Sequence, residues 1–166
     1  IDKVMGISKA YCTRVGNGPF PTELDGEEGR GLREAGQEFG ATTGRPRRCG
    51  WIDLVALNYA VRVNGVNELT ITKLDILNDF EEIKLCTAYT IDGEQTDLFP
   101  VDLPDIENLK PRYKTMPGWQ QSLEDCDRIE ALPEEARAYL EFIQSYLGVD
   151  LAVLSKGPRR EETIVV

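Results

Sequence analysis

Gly40-Ala41-Thr42-Thr43-Gly44-Arg45-Pro46-Arg47-Arg48-Cys49-Gly50-Trp51 packs three arginines, two threonines and three glycines between an acidic segment and an apolar one. It reads as a loop built to hold anions. Glycines allow positive φ and let backbone amides approach a ligand closely. Threonine hydroxyls donate to oxyanions, and the arginine fork matches carboxylate or phosphate in a bidentate way. The plain alternative is a solvated turn with incidental arginines. A chain of net charge -10 that gathers three positive charges within four residues favours the anion site, because clustered like charge is costly without a partner.

Working outward, 51–63 is apolar at ten of its positions, more than one helix face requires, and Gly65 follows as a stop signal. A buried helix is expected there, with its N-terminal dipole acting on the same anion as the arginines. Next, Glu68 to Asp75 alternates β-branched and apolar residues as a strand does, and ends in Thr72-Lys73-Leu74-Asp75. A carboxylate at a strand end can accept two hydrogen bonds from the N1–H and amino group of guanine, donors that adenine does not pair in this way. A lysine and an aspartate in a surface turn is the bland alternative.

GATTGRPRRCGW, taken with KAYCTRVGNGPFPTEL (9–24) before it and TKLD after it, resembles adenylosuccinate synthetase, and the likeness runs over nearly the whole chain. It corresponds to roughly the C-terminal two-fifths of that family. The resemblance implies an α/β fold: the C-terminal part of a P-loop-like, mostly parallel sheet with covering helices and an antiparallel hairpin, with 1–166 as a single domain. It also implies the reaction of IMP, L-aspartate and GTP to adenylosuccinate, GDP and phosphate in purine (AMP) biosynthesis. By position, Val15 and Gly16 line the nucleotide pocket. Ala41, Thr42, Thr43, Gly44, Arg45, Pro46 and Arg47 hold aspartate and the IMP ribose, with Arg47 also reaching the GTP side. Lys73, Leu74 and Asp75 read guanine from one side, and Ser155, Lys156 and Gly157 from the other.

The family's phosphate-binding glycine loop, catalytic aspartate and catalytic histidine have no counterpart in this chain, which has no histidine at all. No catalytic residue or metal ligand is therefore assigned. Mg2+ belongs to the parent enzyme with ligands elsewhere, GTP is a co-substrate, and a homodimer is implied for the full-length enzyme. The fragment is expected to be inactive alone. The opening Ile1 agrees with a fragment or a processed form. The alternative is a non-catalytic guanine-nucleotide-binding or scaffold domain.

Composition sets outer bounds. With 166 residues, 41% of them hydrophobic, a real core is possible. The acidic balance argues against a broad nucleic-acid surface, which requires a basic face. No run is long and apolar enough for a membrane span, and a cytoplasmic protein is expected. Cys12, Cys49, Cys86 and Cys126 are dispersed and read as reduced thiols.

The remaining elements follow from local patterns. Val4 to Gly16 is expected to contain a buried strand, and 23–40 an exposed connection with a helical turn near 32–39. Strands are expected over 83–89 and 95–99 around a turn at Ile91-Asp92-Gly93-Glu94, and an irregular crossover over 101–111. Tyr113 to Trp119 reads as a short strand and turn with Trp119 as a packing anchor. A helix opens at Leu132-Pro133-Glu134-Glu135 with an apolar stripe at 136, 139, 140, 143 and 147 and stops at Gly148. Leu151 to Leu154 reads as a buried parallel strand, and Thr163 to Val166 as a last strand. Ligands of open α/β sheets sit at the carboxyl ends of strands, so Arg45, Asp75 and the 155–158 loop are expected to share one rim.

Overall fold

The computed structural model describes residues 2–101, 106 and 108–166; part of the expected 101–111 crossover lies outside the described residues. The sequence reading takes the chain as one domain. Its contacts gather it into two compact units, the first of residues 1–10, 56–83 and 115–166 and the second of 11–55 and 84–114.

The first unit is built on a four-stranded sheet in the order β1-β5-β9-β10: β1 (Met5–Lys9), β5 (Glu68–Thr72), β9 (Asp150–Ser155) and β10 (Thr163–Val165). β1, β5 and β9 run parallel, and β10 returns antiparallel beside β9. The carboxyl ends of β5 and β9 therefore lie at one edge of the sheet. The apolar run Leu151 to Leu154 places Leu151 and Leu154 in the core, opposite Leu69 and Ile71 of β5. Unlike the expected buried strand, β1 is an edge strand with Ile7 76% exposed, because its outer side has no partner strand among the described residues.

α3 (Glu134–Leu147) behaves as its stripe predicts. Ala136, Tyr139, Leu140, Ile143 and Leu147 are buried, each worth roughly 1.5–3 kcal/mol for the larger side chains. Glu134 and Glu135 occupy its first turn, and Gly148 at φ 65° ends it. The Tyr139 hydroxyl donates to the Ala10 carbonyl (2.6 Å), and the Gln144 side-chain oxygen accepts from the Leu151 amide (2.7 Å), fastening the helix to strand ends. Trp119 packs edge-on against Tyr139 at 6.0 Å and donates its indole N–H to Asn78 (2.8 Å), the anchoring role expected of it.

The second unit joins β2 (Cys12–Arg14) to β3 (Arg48–Gly50) antiparallel, with α1 (Gly26–Ala35) packed on β3. α1 corrects the helical turn expected at 32–39: Asp25 precedes it, Glu27 and Glu28 fill its first turn, and Leu32 and Gly29 face inward. β4 (Ile52–Asp53) lies parallel to β6 (Glu82–Ile91), which continues through a turn at Asp92 and Gly93, both at positive φ, into β7 (Glu94–Thr96). β8 (Lys110–Pro117) also pairs with β6. Val55, Cys86, Tyr89 and Leu109 form a core here, and none of the four cysteines is in a disulfide. Burial pushes the Cys86 thiol up to about 12, with the Asp53 carboxylate adding to the effect, as befits an inert core thiol.

The helix expected over 51–63 is α2 (Leu54–Asn64). β3 and β4 intervene between the arginines and its first residue, because Trp51 and Ile52 are drawn into the core as extended chain. The helix dipole therefore does not follow the arginine loop directly. α2 is also buried only in part: Leu54, Val55 and Val61 are in the core, whereas Tyr59 and Val63 are exposed.

Candidate functional site

In the second unit, the segment from Glu38 to Arg47 folds back on itself as a narrow loop. The Arg47 amide donates to the Glu38 carbonyl (2.9 Å), Phe39 bridges Pro46, and the Gly40 amide donates to the Arg45 carbonyl (2.9 Å). At the tip the Gly44 amide donates to Gly40 (2.8 Å), and the Thr43 hydroxyl accepts from the Arg45 amide (3.3 Å). Glycine and threonine thus build the turn that the sequence reading assigns to ligand contact.

The three arginines of this loop have three different situations. Arg48 is held by Glu23 through its Nε (2.7 Å) and Nη2, and its Nη1 donates to the carbonyls of Gly16 (3.0 Å) and Gly18 (2.6 Å). The hydrogen bond from Arg48 holds the Glu23 carboxyl below the ordinary range. Arg48 is therefore a staple that fixes the 16–18 loop, which corrects its assignment to the anion-holding set. Arg47 donates to Glu38 (2.7 Å), whose carboxylate is fully buried and also accepts from the Tyr11 hydroxyl (2.6 Å). The Arg47 side chain remains 33% exposed. The Arg45 guanidinium is exposed and has no hydrogen bond or ion pair among the described residues.

These residues surround a cavity of about 130 Å³ lined by Arg14, Val15, Gly16, Thr43, Arg45 and Arg47, among others. Val15 and Gly16 lie beside the loop in this lining, Val15 74% exposed and Gly16 at φ 89°. Ala41, Thr42 and Gly44 are exposed at the loop tip. Arg14 was not singled out by sequence reasoning. Its signal was positional, one residue before Val15 in a strand that pairs with the arginine loop.

In the first unit, β5 ends at Thr72 and Lys73 adopts a left-handed conformation (φ 60°, ψ 35°) before a 3-10 turn over Leu74–Leu77. A non-glycine residue in that region is held at a cost of roughly 1–2 kcal/mol. The bend keeps Leu74 in the core and half-buries Asp75, whose Oδ1 is buried with no hydrogen-bond partner. Burial pushes the Asp75 carboxyl up; Glu162 adds to this, and the ammonium groups of Lys73 and Lys156 oppose it.

Glu162 also shapes the neighbouring loop that follows β9. It accepts from the Arg159 amide (2.6 Å), its carbonyl accepts from the Lys156 amide (3.0 Å), and a Cβ at Gly157 would lie 2.4 Å from its carboxyl carbon. The Ser155 hydroxyl donates to the Gly157 carbonyl (2.8 Å). The Lys156 side chain is 7% exposed and its ammonium donates to the Glu124 carbonyl (2.5 Å), so this residue offers backbone rather than side chain to a ligand. The structure thus brings Asp75 and the 155–157 loop to the same end of one sheet. Arg45 and Arg47 belong to the second unit. Among the described residues no group of three or more His, Cys, Asp or Glu gathers to hold a metal ion.

Comparison with known proteins gives one answer. The adenylosuccinate synthetase family model matches residues 1–164. The adenylosuccinate synthetase of Salinibacter ruber is 57% identical over 164 residues, 99% of this chain and 37% of that protein. That of Aquifex aeolicus is 56% identical over 160 residues, 96% of this chain and again 37% of the relative. Among solved structures, a fully ligated adenylosuccinate synthetase from Plasmodium falciparum superposes with a TM-score of 0.95 at 39% identity, covering 100% of this chain and 40% of that one. The chain spans a little over a third of the length of these relatives.

Proposed function

Because the chain belongs to the adenylosuccinate synthetase family, we propose that it supplies the aspartate/IMP loop and the guanine-reading segments of a GTP-dependent C–N ligase. In the family reaction the GTP γ-phosphate is transferred to O6 of IMP, and the aspartate amino group then displaces it as phosphate. Arg45 and Arg47 clamp the carboxylates of aspartate, with Thr42 and Thr43 beside them. Positioning a nucleophile in this way accounts for much of the rate enhancement available to such a site. The two arginines divide the work. Arg47 is preset by a buried carboxylate, whereas Arg45 is exposed and its guanidinium has no ion pair among the described residues.

The observation that carries the guanine assignment is the buried, unpartnered Oδ1 of Asp75 at the carboxyl end of a parallel strand. An unsatisfied buried acceptor costs about 1–3 kcal/mol, and a guanine N1–H and amino group would satisfy it, whereas adenine would leave it orphaned. The left-handed Lys73 that aims this turn is the kind of strain found at ligand sites.

Metal-bound phosphate chemistry belongs to groups this chain does not supply, so the chain by itself forms no adenylosuccinate. Turnover by the chain alone would overturn this reading. Titration with GTP and ATP is expected to show preference for GTP that D75N removes; equal binding of both nucleotides by the unaltered chain would refute the role of Asp75.

A further inference from the structure

The charges around the cavity of the second unit do not balance. Four arginines line it: Arg14, Arg45, Arg47 and Arg48. Glu38 neutralises Arg47 and Glu23 neutralises Arg48. The guanidinium groups of Arg14 and Arg45 have no hydrogen bond or ion pair among the described residues. In a chain of net charge -10, two positive charges are therefore left facing one small space.

Arg14 is not a surface arginine placed at random. In the β2–β3 ladder it stands directly opposite Arg48, so the two side chains leave the same face of the sheet. Like charges directly opposite one another destabilise a strand pair. Arg14 also has a prepared seat. A Cβ on Gly18 would lie 1.9 Å from its Nη2 and 2.7 Å from its Cζ, so only glycine lets the guanidinium rest against the loop there. Arg48 holds that loop through the carbonyls of Gly16 and Gly18.

We infer that Arg14 is a further substrate-contacting residue of this cavity, which with Arg45 makes it select a ligand bearing two carboxylates over one bearing a single carboxylate. This rests on the reading of the cavity as the aspartate site and adds a residue to it. The unpaired guanidinium of Arg14 adds a charge-assisted hydrogen bond to one of the two carboxylates that Arg45 and Arg47 clamp, while Arg47 is held in place by Glu38.

The test is titration of the 15N-labelled full chain with L-aspartate and, separately, L-asparagine, following the arginine Nε–H resonances. L-aspartate is expected to move both Arg14 and Arg45 and to bind about tenfold more tightly than L-asparagine. Arg14→Gln should bring the two amino acids to similar affinity, and Arg14→Lys should retain part of the preference. Gly18→Ala offers a second route, displacing the guanidinium without removing its charge, and should lower aspartate affinity while leaving the thermal midpoint within a few degrees. If L-aspartate moves Arg45 but not Arg14, and Arg14→Gln keeps the preference, the inference is wrong and the aspartate assignment stands. If L-aspartate moves neither residue, both are wrong.

Discussion

Glu38→Ala removes a fully buried carboxylate on which the arginine loop is founded. Tyr11, itself 2% exposed, loses the acceptor of its 2.6 Å hydrogen bond, which costs about 1–3 kcal/mol. Arg47 loses a charge-assisted bond; its side chain is 33% exposed and regains water, so this loss is discounted to about 1 kcal/mol. The void left by the shortened side chain adds about 1 kcal/mol. The sum, about 3–5 kcal/mol, equals the usual cost of breaking a buried pair by deleting one partner. It is also a large share of the 5–15 kcal/mol that holds an ordinary domain together. Urea unfolding followed by tryptophan fluorescence measures it, since Trp51 reports on the second unit and Trp119 on the first. A Trp119→Phe background isolates the Trp51 signal. Glu38→Gln, which keeps the shape and an acceptor, should lose only about 1–2 kcal/mol. A loss below about 1 kcal/mol for Glu38→Ala at unchanged m-value would refute the argument that this carboxylate organises the loop.

Three further outcomes are expected. Lys73→Gly relieves the left-handed backbone at φ 60° and should raise Tm by about 2 °C in calorimetry while weakening GTP binding. Asp75 has its folded-state pKa raised by burial, so the folded chain holds its proton more tightly than the unfolded chain. Stability from this group is thus present below the unfolded value and declines as pH rises through the folded one; Asp75→Asn should remove that decline in pH-dependent melting, and guanine preference should fade on acidification at a higher pH than an ordinary aspartate would give. Trp119→Phe gives up the 2.8 Å bond to Asn78 and should cost about 1–2 kcal/mol in the first unit, read by urea unfolding followed by circular dichroism.

Elements whose periodicity matched their burial were legible from residues alone. The stripe of α3, the apolar run of β9 and the Asp92-Gly93 turn are local patterns that the tertiary contacts reinforce. Other features depend on distant partners. Trp51 and Ile52 look helical by hydropathy, yet the Trp51 amide is held by the Thr22 carbonyl and Ile52 pairs with β6 as part of β4. β1 is apolar in composition and still exposed, because burial of a strand depends on whether another element covers it. Arg48 could not be told from Arg45 by type or spacing. Only the 25-residue reach to Glu23 makes one a structural staple and leaves the other free. Arg14 escaped notice for a similar reason, since its relation to the arginine loop is a cross-strand register and not a sequence motif.

The proposed assignment is tested most directly by a chimera in which this chain replaces the segment it matches in the Salinibacter ruber synthetase, assayed for adenylosuccinate formation with IMP, L-aspartate and GTP. Activity is expected, with Arg45→Leu lowering kcat/KM by about a hundredfold, the scale of losing a substrate-positioning charge, and Asp75→Asn erasing the preference for GTP over ATP. A folded chimera that forms no product, or one in which Arg45→Leu changes nothing, would contradict the account.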